Sequence, residues 1–269
     1  MAGTGNGRSD GVKSGSIDLD SYVNGQIETV NGWLGDVDIF AIKAIGEWQA
    51  EQGIGGDLAE IGVHHGKLYF ILALLRRASE KALAMDLFED DAMNVGAHAR
   101  RDIMLHRNAD RLGIDISDAE IWKVDSTTIT PAQIAEKVGN VRLFSVDGGH
   151  EYHHVAADLR TAESVLGDRG VIIIDDIFGI GWPDVTVAAM HFLTEYADRI
   201  EPFLITRSKL YVCRKGAAAD YRAMLETHAD TAAMPKDERN MFRQPITVMK
   251  LGRSQFLGRR LLRRFRRTA

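Results

Sequence analysis

Short continuous apolar runs alternate along the chain with longer stretches in which apolar residues recur every three or four positions, the rhythm of strands alternating with helices. Val37, Phe40, Ala41, Ala44, Ile45 and Trp48 predict a helix from Asp36 to Gln52, closed by Gly53-Ile-Gly-Gly56. A strand from Asp57 to Val63 follows, then a His64-His65-Gly66 turn and a helix from Lys67 to Ser79. Lys81 to Asp86 reads as a strand, and residues 92 to 112 as a helix carrying Arg100, Arg101, Arg107 and Arg111. Glu120 to Ser126 reads as another strand, and Pro131 to Val138 as a helix. At the centre lie a strand from Val141 to Asp147, a helix from Glu151 to Leu166 with Val155, Leu159, Ala162 and Leu166 on one face, and a strand from Gly170 to Asp175. Such a strand-helix-strand unit joins parallel neighbours, and its repetition predicts an α/β, doubly wound, mostly parallel sheet with helices on both faces.

The second half departs from this rhythm. After the loop Gly179-Ile-Gly-Trp-Pro183 and a helix over residues 184 to 198, the strands Glu201 to Thr206 and Lys209 to Cys213 are separated only by Arg207-Ser208, which predicts a terminal antiparallel hairpin. Residues 216 to 240 read as polar helix and Pro245 to Met249 as an edge strand. Residues 16 to 35, with Tyr22, Ile27, Val30, Trp33 and Leu34 among turn formers, predict a loosely packed lid or interface segment; the Gly- and Ser-rich residues 1 to 15 predict disorder.

The chemistry sits where the strands end. Glu60, Asp86, Asp125, Asp147 and Asp175 each stand at the carboxyl end of a predicted strand, the edge at which open α/β sheets bind ligands. Asp147, Asp175 and Asp176 belong to neighbouring strands. Three carboxylates so crowded raise one another's pKa unless a cation sits among them, which marks a candidate divalent-metal site. Glu60-x-Gly62-x-x-x-Gly66 follows a strand and opens a helix, a pattern that serves either a tight turn or a close backbone approach to a ligand. With Asp86 about 20 residues on, placed for ribose hydroxyls, a nucleoside ligand is favoured. His64 stands where a dinucleotide fingerprint has its second glycine, which disfavours an NAD-dependent oxidoreductase. Asp125-Ser126 suits either an adenine amino group or a helix cap.

Composition adds bounds. At 269 residues, 45% hydrophobic and 26% charged, the chain suits one domain with elaborated ends. There is no apolar run near the roughly 20 residues of a membrane span and no apolar leader core, and Cys213 is the single cysteine, so a cytoplasmic location is expected. The net charge of −5 conceals an asymmetry: Arg253, Arg259, Arg260, Arg263, Arg264, Arg266 and Arg267 cluster at the end, leaving −12 on the rest. Leu257, Leu261, Leu262 and Phe265 recur at helical spacing among those arginines, which suits peripheral contact with an anionic membrane, or a solvated or partner-bound tail. An acidic body argues against nucleic acid.

Taken together, Glu60-x-Gly62-x-x-x-Gly66, Asp86, Asp125-Ser126, Val146-Asp147-Gly-Gly-His150-Glu-Tyr-x-x-Val155-x-x-Asp158-Leu159 and Ile174-Asp175-Asp176 resemble the class I S-adenosylmethionine-dependent methyltransferases. More narrowly, they are similar to the metal-dependent sugar O-methyltransferases of macrolide and aminocoumarin antibiotic pathways. The resemblance implies a Rossmann-like methyltransferase domain over residues 36 to 215, followed by an extension over 216 to 252 and the tail. It implies S-adenosylmethionine held by Glu60, Gly62, Gly66, Asp86, Asp125 and Ser126, and Mg2+ or another divalent cation on Asp147, Asp175 and Asp176. His150 matches the position of the general base, and Lys67-Leu68 stands where relatives have a small or hydroxyl residue. The implied acceptor is a hydroxyl of a glycoside or glycolipid, with an oxygen neighbour for chelation. A homo-oligomer is expected, with Trp33 near a subunit contact. His153 and His154 are assigned to an exposed helix face. The alternative from another class is a nucleoside-binding scaffold of the same fold without catalysis.

Overall fold

The computed structural model describes residues 16–88 and 101–250. The first 15 residues, residues 92–100 of a predicted helix with Arg100, and the arginine tail with its four apolar residues lie outside the described residues. The strands are β1 (Asp57–Ile61), β2 (Ala82–Asp86), β3 (Glu120–Lys123), β4 (Val141–Val146), β5 (Leu166–Ile174), β6 (Ile200–Ile205), β7 (Leu210–Arg214), β8 (Lys236–Met241) and β9 (Gln244–Met249). The helices are α1 (Leu19–Asn24), α2 (Asp36–Glu51), α3 (Tyr69–Leu75), α4 (Arg101–Leu112), α5 (Pro131–Lys137), α6 (Tyr152–Ser164), α7 (Pro183–Glu195) and α8 (Ala218–Thr227).

Among the described residues the nine strands form one sheet in the order β3-β2-β1-β4-β5-β7-β6-β9-β8. Strands β1 to β5 are mutually parallel, and β7 is inserted antiparallel between β5 and β6. Alternate residues of the central strands feed two apolar layers. Leu58, Leu143, Val171 and Ile173 pack with α1, α2, α3 and α8, while Ala59, Ile61, Phe144, Val146, Ile172 and Ile174 pack with α5, α6 and α7. Both faces are covered, which is why these strands read as continuous apolar runs.

Several boundaries differ from expectation. Residues 16–35 are not a loose lid: Asp18 caps α1 by accepting from the Ser21 backbone N–H at 2.7 Å, and Tyr22, Val23, Ile27 and Val30 enter the core. Trp33 alone among the aromatic residues there stays outside. The helix expected from Lys67 to Ser79 is trimmed to α3, because Arg76 turns extended and Arg77 folds back on Glu80. Residues 216–240 are not one helix: α8 ends at Thr227 and β8 pairs with β9 through Phe242 and Arg243, both at positive φ (50° and 60°). Lys236, Asp237, Glu238 and Arg239 make β8 polar on both faces, so no apolar periodicity announces it.

At the amino ends of the strands, fully buried Arg142 of β4 is satisfied on every side. It donates to both Glu80 carboxylate oxygens at 3.1 Å, to Gln49 Oε1 at 2.9 Å and to the Leu75 carbonyl at 2.9 Å. A buried guanidinium is tolerable only when its fork is filled in this way, and here it locks β4 to α2 and α3.

Candidate active site

The parallel pairing of β4 with β5 sets Val146 against Ile174, so Asp147 and Asp175 leave the sheet side by side. Their backbones are fixed there, with the Asp147 N–H on the Ile61 carbonyl at 2.9 Å and the Asp175 N–H on the Val146 carbonyl at 3.1 Å. Asp176 takes a left-handed backbone (φ 53°), a conformation uncommon for a non-glycine residue, and its N–H donates to Asp175 Oδ1 at 2.7 Å. That turn swings the Asp176 side chain back toward β4. Asp147, His150 and Asp176 then each present a ligand atom within 4.8 Å of the other two.

His150 is held on two sides. Its Nε2 lies 3.0 Å from Asp176 Oδ2, and its ring stacks on Trp182 at 4.2 Å between centroids and 18° between planes. Trp182 comes from the loop that enters α7, a residue that the motif reading passed over.

Asp175 lies between Asp147, with which its carboxyl shares a hydrogen bond, and the start of β7. Its carboxylate is ion-paired with the ammonium of Lys209, which is 1% exposed. Leu210, the first residue of β7, is the register partner of Ile174, so Lys209 just before the strand falls opposite Asp175. Asp38, in the first turn of α2, completes the buried group by accepting from Thr206 Oγ1 and Tyr211 Oη, each at 2.7 Å. The charges sort accordingly. Burial, and then the neighbouring Asp175, push Asp147 well above the usual carboxylate range. Burial works to raise Asp175 too, but Lys209 outweighs it and holds that carboxyl low. Lys209 and Asp38 were not found from the sequence. The only signals were an acid between Val37 and Ile39 in the first turn of a helix and a lysine just before an apolar strand.

Beside this group lies the turn after β1. Glu60 is buried, its Oε2 accepts no hydrogen bond, and burial, reinforced by Asp86 and Asp175, pushes it well above its ordinary range. Asp86 accepts from the backbone N–H of His64 at 2.8 Å and of Phe88 at 2.6 Å, so it pins the loop on both sides. Gly62 (φ 86°) sits so close to the Asp147 carbonyl that a Cβ would lie 1.7 Å from that oxygen, while Gly66 (φ 93°) is packed against Leu105 and Phe70. Both glycines serve backbone approach; at Gly62 the approaching group is the neighbouring strand tip. An unpartnered buried carboxylate oxygen beside left-handed glycines suits a hydroxyl- or amine-bearing ligand.

Asp125 lies beyond the end of β3 and accepts from the Thr127 N–H at 2.9 Å and hydroxyl at 2.7 Å, the capping arrangement that the sequence left open. Those bonds hold its pKa below the usual value. Ser126 opens the short 3-10 turn that follows. His153 is exposed as expected. His154 is half-buried, with its ring against Gly149, which corrects its assignment to the open face.

Residues 59–177 match a family described as a methyltransferase domain, which spans β1 to the Asp175-Asp176 turn. Comparison with curated protein sequences finds no match. Solved structures share the fold. The O-methyltransferase NovP aligns with a TM-score of 0.51 at 18% identity, covering 67% of this chain and 80% of that one. CalS11, a TDP-rhamnose 3'-O-methyltransferase of calicheamicin biosynthesis, aligns with 0.51 at 18% identity, covering 76% and 89%. An O-methyltransferase from Bacillus cereus in complex with SAH aligns with 0.50 at 15% identity, covering 76% and 94%. The methyltransferase resemblance read from the motifs is thus borne out in domain and fold. No helix among the described residues is long and apolar enough to cross a membrane.

Proposed function

We propose that this chain, which carries a methyltransferase domain, moves a methyl group from S-adenosylmethionine to a sugar hydroxyl of a glycoside or glycolipid, with the help of a divalent cation such as Mg2+. The observation that carries this reading is the convergence of Asp147, His150 and Asp176 within 4.8 Å, beside the β1 turn with its unpartnered Glu60 oxygen. The donors suit the implied groups. The carboxylate oxygens of Asp147 and Asp176 fit a hard divalent cation, and Glu60 with Asp86 and the Gly62 turn fits the nucleoside and amino acid ends of the methyl donor. When bound, the cation would polarise the acceptor oxygen and lower its proton affinity.

The chain's own residues account for the rest. Methyl transfer is an in-line displacement, so the acceptor oxygen must be held about 3 Å from the methyl carbon. Asp147 and Asp176 would hold the cation. His150, with Nε2 engaged by Asp176 and its ring clamped on Trp182, has Nδ1 left to take the acceptor proton, the logic by which a carboxylate orients a catalytic imidazole. The exposed side chains of Phe178, Ile180 and Trp182 lie on the loop after Asp176, and Trp182, stacked on His150, is available to an acceptor.

The test is a mass-spectrometric screen of glycosides and glycolipids with S-adenosylmethionine, with and without a chelator. A product heavier by one methyl group, formed only with divalent cation and lost in Asp147→Ala while S-adenosylhomocysteine binding persists, is the expected result. Transfer that continues in chelator and in that variant would overturn the metal role.

A further inference from the structure

The three acids of the Asp147, Asp175, Asp176 set are not equivalent. Asp175 is ion-paired with an ammonium group that is itself buried, and whose position is dictated by the antiparallel pairing of β7 on β5. We propose that Lys209 is the resident cation of this site, that it occupies Asp175 permanently, and that a divalent ion is held by Asp147 and Asp176, next to His150, without Asp175. This rests on the function proposed above, and it changes which residues of this chain meet the metal.

Three observations support it. The ligand atoms that converge are those of Asp147, His150 and Asp176, and Asp175 is not among them. Lys209 lies among Asp175, Asp147 and Asp38, all of which act on it electrostatically, and it is buried beyond the reach of water. A buried ammonium that has lost its hydration is retained only where carboxylates replace water, so Lys209 cannot leave Asp175 without loss. A dication bound by all three acids would, moreover, stand at near-contact distance from that ammonium, where the medium screens like charges poorly. The site thus divides its cations: a fixed one beneath, made by β7 and backed by Asp38, and an exchangeable one at the mouth beside His150. The resident charge permits a buried Asp175 to adjoin a half-buried Asp147 at a strand edge before any ion arrives.

The test is equilibrium binding of Mn2+ to the full chain, read from the paramagnetic resonance signal of the free ion, with S-adenosylhomocysteine calorimetry as the check of folding. Asp176→Asn is expected to weaken Mn2+ at least ~10-fold. The paired variant Asp175→Asn/Lys209→Met, which removes both charges together, is expected to keep Mn2+ affinity within about threefold. Lys209→Met alone frees Asp175 and is expected to tighten Mn2+ about fivefold or more by adding a carboxylate. Should the paired variant not bind S-adenosylhomocysteine, Lys209→Met alone decides, and Mn2+ affinity no tighter than that of the wild type would then overturn the inference. Loss of Mn2+ in the paired variant to the extent seen in Asp176→Asn would overturn the inference. So would a wild-type chain that binds S-adenosylhomocysteine but no Mn2+ at millimolar concentration. Methyl transfer is scored separately, so either result leaves the transferase reading to its own test.

Discussion

Replacing Gly62 by alanine probes the contact on which the candidate site depends. The residue has φ 86°, and a methyl group there would lie 1.7 Å from the carbonyl oxygen of Asp147 and 2.4 Å from its carbonyl carbon. Alanine in a left-handed backbone costs about 1–2 kcal/mol. Forcing a methyl into filled space costs a further ~1–3 kcal/mol, here at the upper end because the obstructing atoms are backbone. Gly62→Ala is therefore expected to destabilise by roughly 2–5 kcal/mol. Gly53 supplies the matched control: its φ is 67°, but nothing lies within 4 Å of the site of a Cβ. Gly53→Ala should then show the conformational part alone, about 1–2 kcal/mol, and the difference between the variants isolates the close approach of β1 to β4. Urea unfolding followed by circular dichroism measures both. Because the displaced carbonyl belongs to Asp147, Gly62→Ala should also weaken binding of S-adenosylhomocysteine and Mn2+, whereas Gly53→Ala should leave both intact. Equal destabilisation by the two substitutions, to within about 0.5 kcal/mol, would refute the steric argument.

Other substitutions test other parts of the molecule. His150→Ala is expected to lower turnover by ~10²–10⁴-fold with little change in acceptor affinity, and wild-type turnover that stays constant from about pH 6 to about pH 9 would count against proton abstraction by the imidazole. Arg142→Met should cost about 3–5 kcal/mol, because it strands Glu80 in the core; a urea midpoint near that of wild type would show the network to be dispensable. Fully buried Asp158 is pushed up to about 7 by burial, which outweighs the opposing hydrogen bond from Ser126. The native state therefore binds this proton more tightly than the unfolded chain, where the group titrates near 3.9, so stability should fall as pH rises from about 4 to 7 and level off above. Asp158→Asn should remove that fall, on the order of 4 kcal/mol in all, and identical stability slopes in variant and wild type would contradict it.

The sequence made the sheet legible because its central strands are buried on both faces. Runs such as Val171-Ile-Ile-Ile174 leave little ambiguity, and the acids that follow them announce the edge at which a ligand binds. Parallel pairing then placed Asp147 beside Asp175, as strand order alone requires. Less legible was anything set by contacts distant in sequence. Lys209 meets Asp175 only through the register of β7, and Asp38 reaches the same group from a helix more than a hundred residues earlier. Trp182 packs on His150 from a loop with no periodicity to read. Strand β8 escaped because a polar strand at a sheet margin carries no apolar alternation, and its Lys, Asp, Glu and Arg look like a helix surface. Residues 16–35 misled for the opposite reason: their apolar residues are scattered in sequence yet converge once a single turn of α1 is capped.

The β8–β9 hairpin bears on how the chain is to be shortened. Strand β6 presents its free backbone edge to β9, and β9 presents its own to β8, so the ladder of hydrogen-bonding groups ends only at a strand bristling with fixed charge. Charged margins of this kind discourage other molecules from adding a strand. A version that stops before Lys236 would uncover β6, whose Phe203 and Leu204 are buried in the intact chain, and would hand neighbouring molecules an unguarded template for polymerisation.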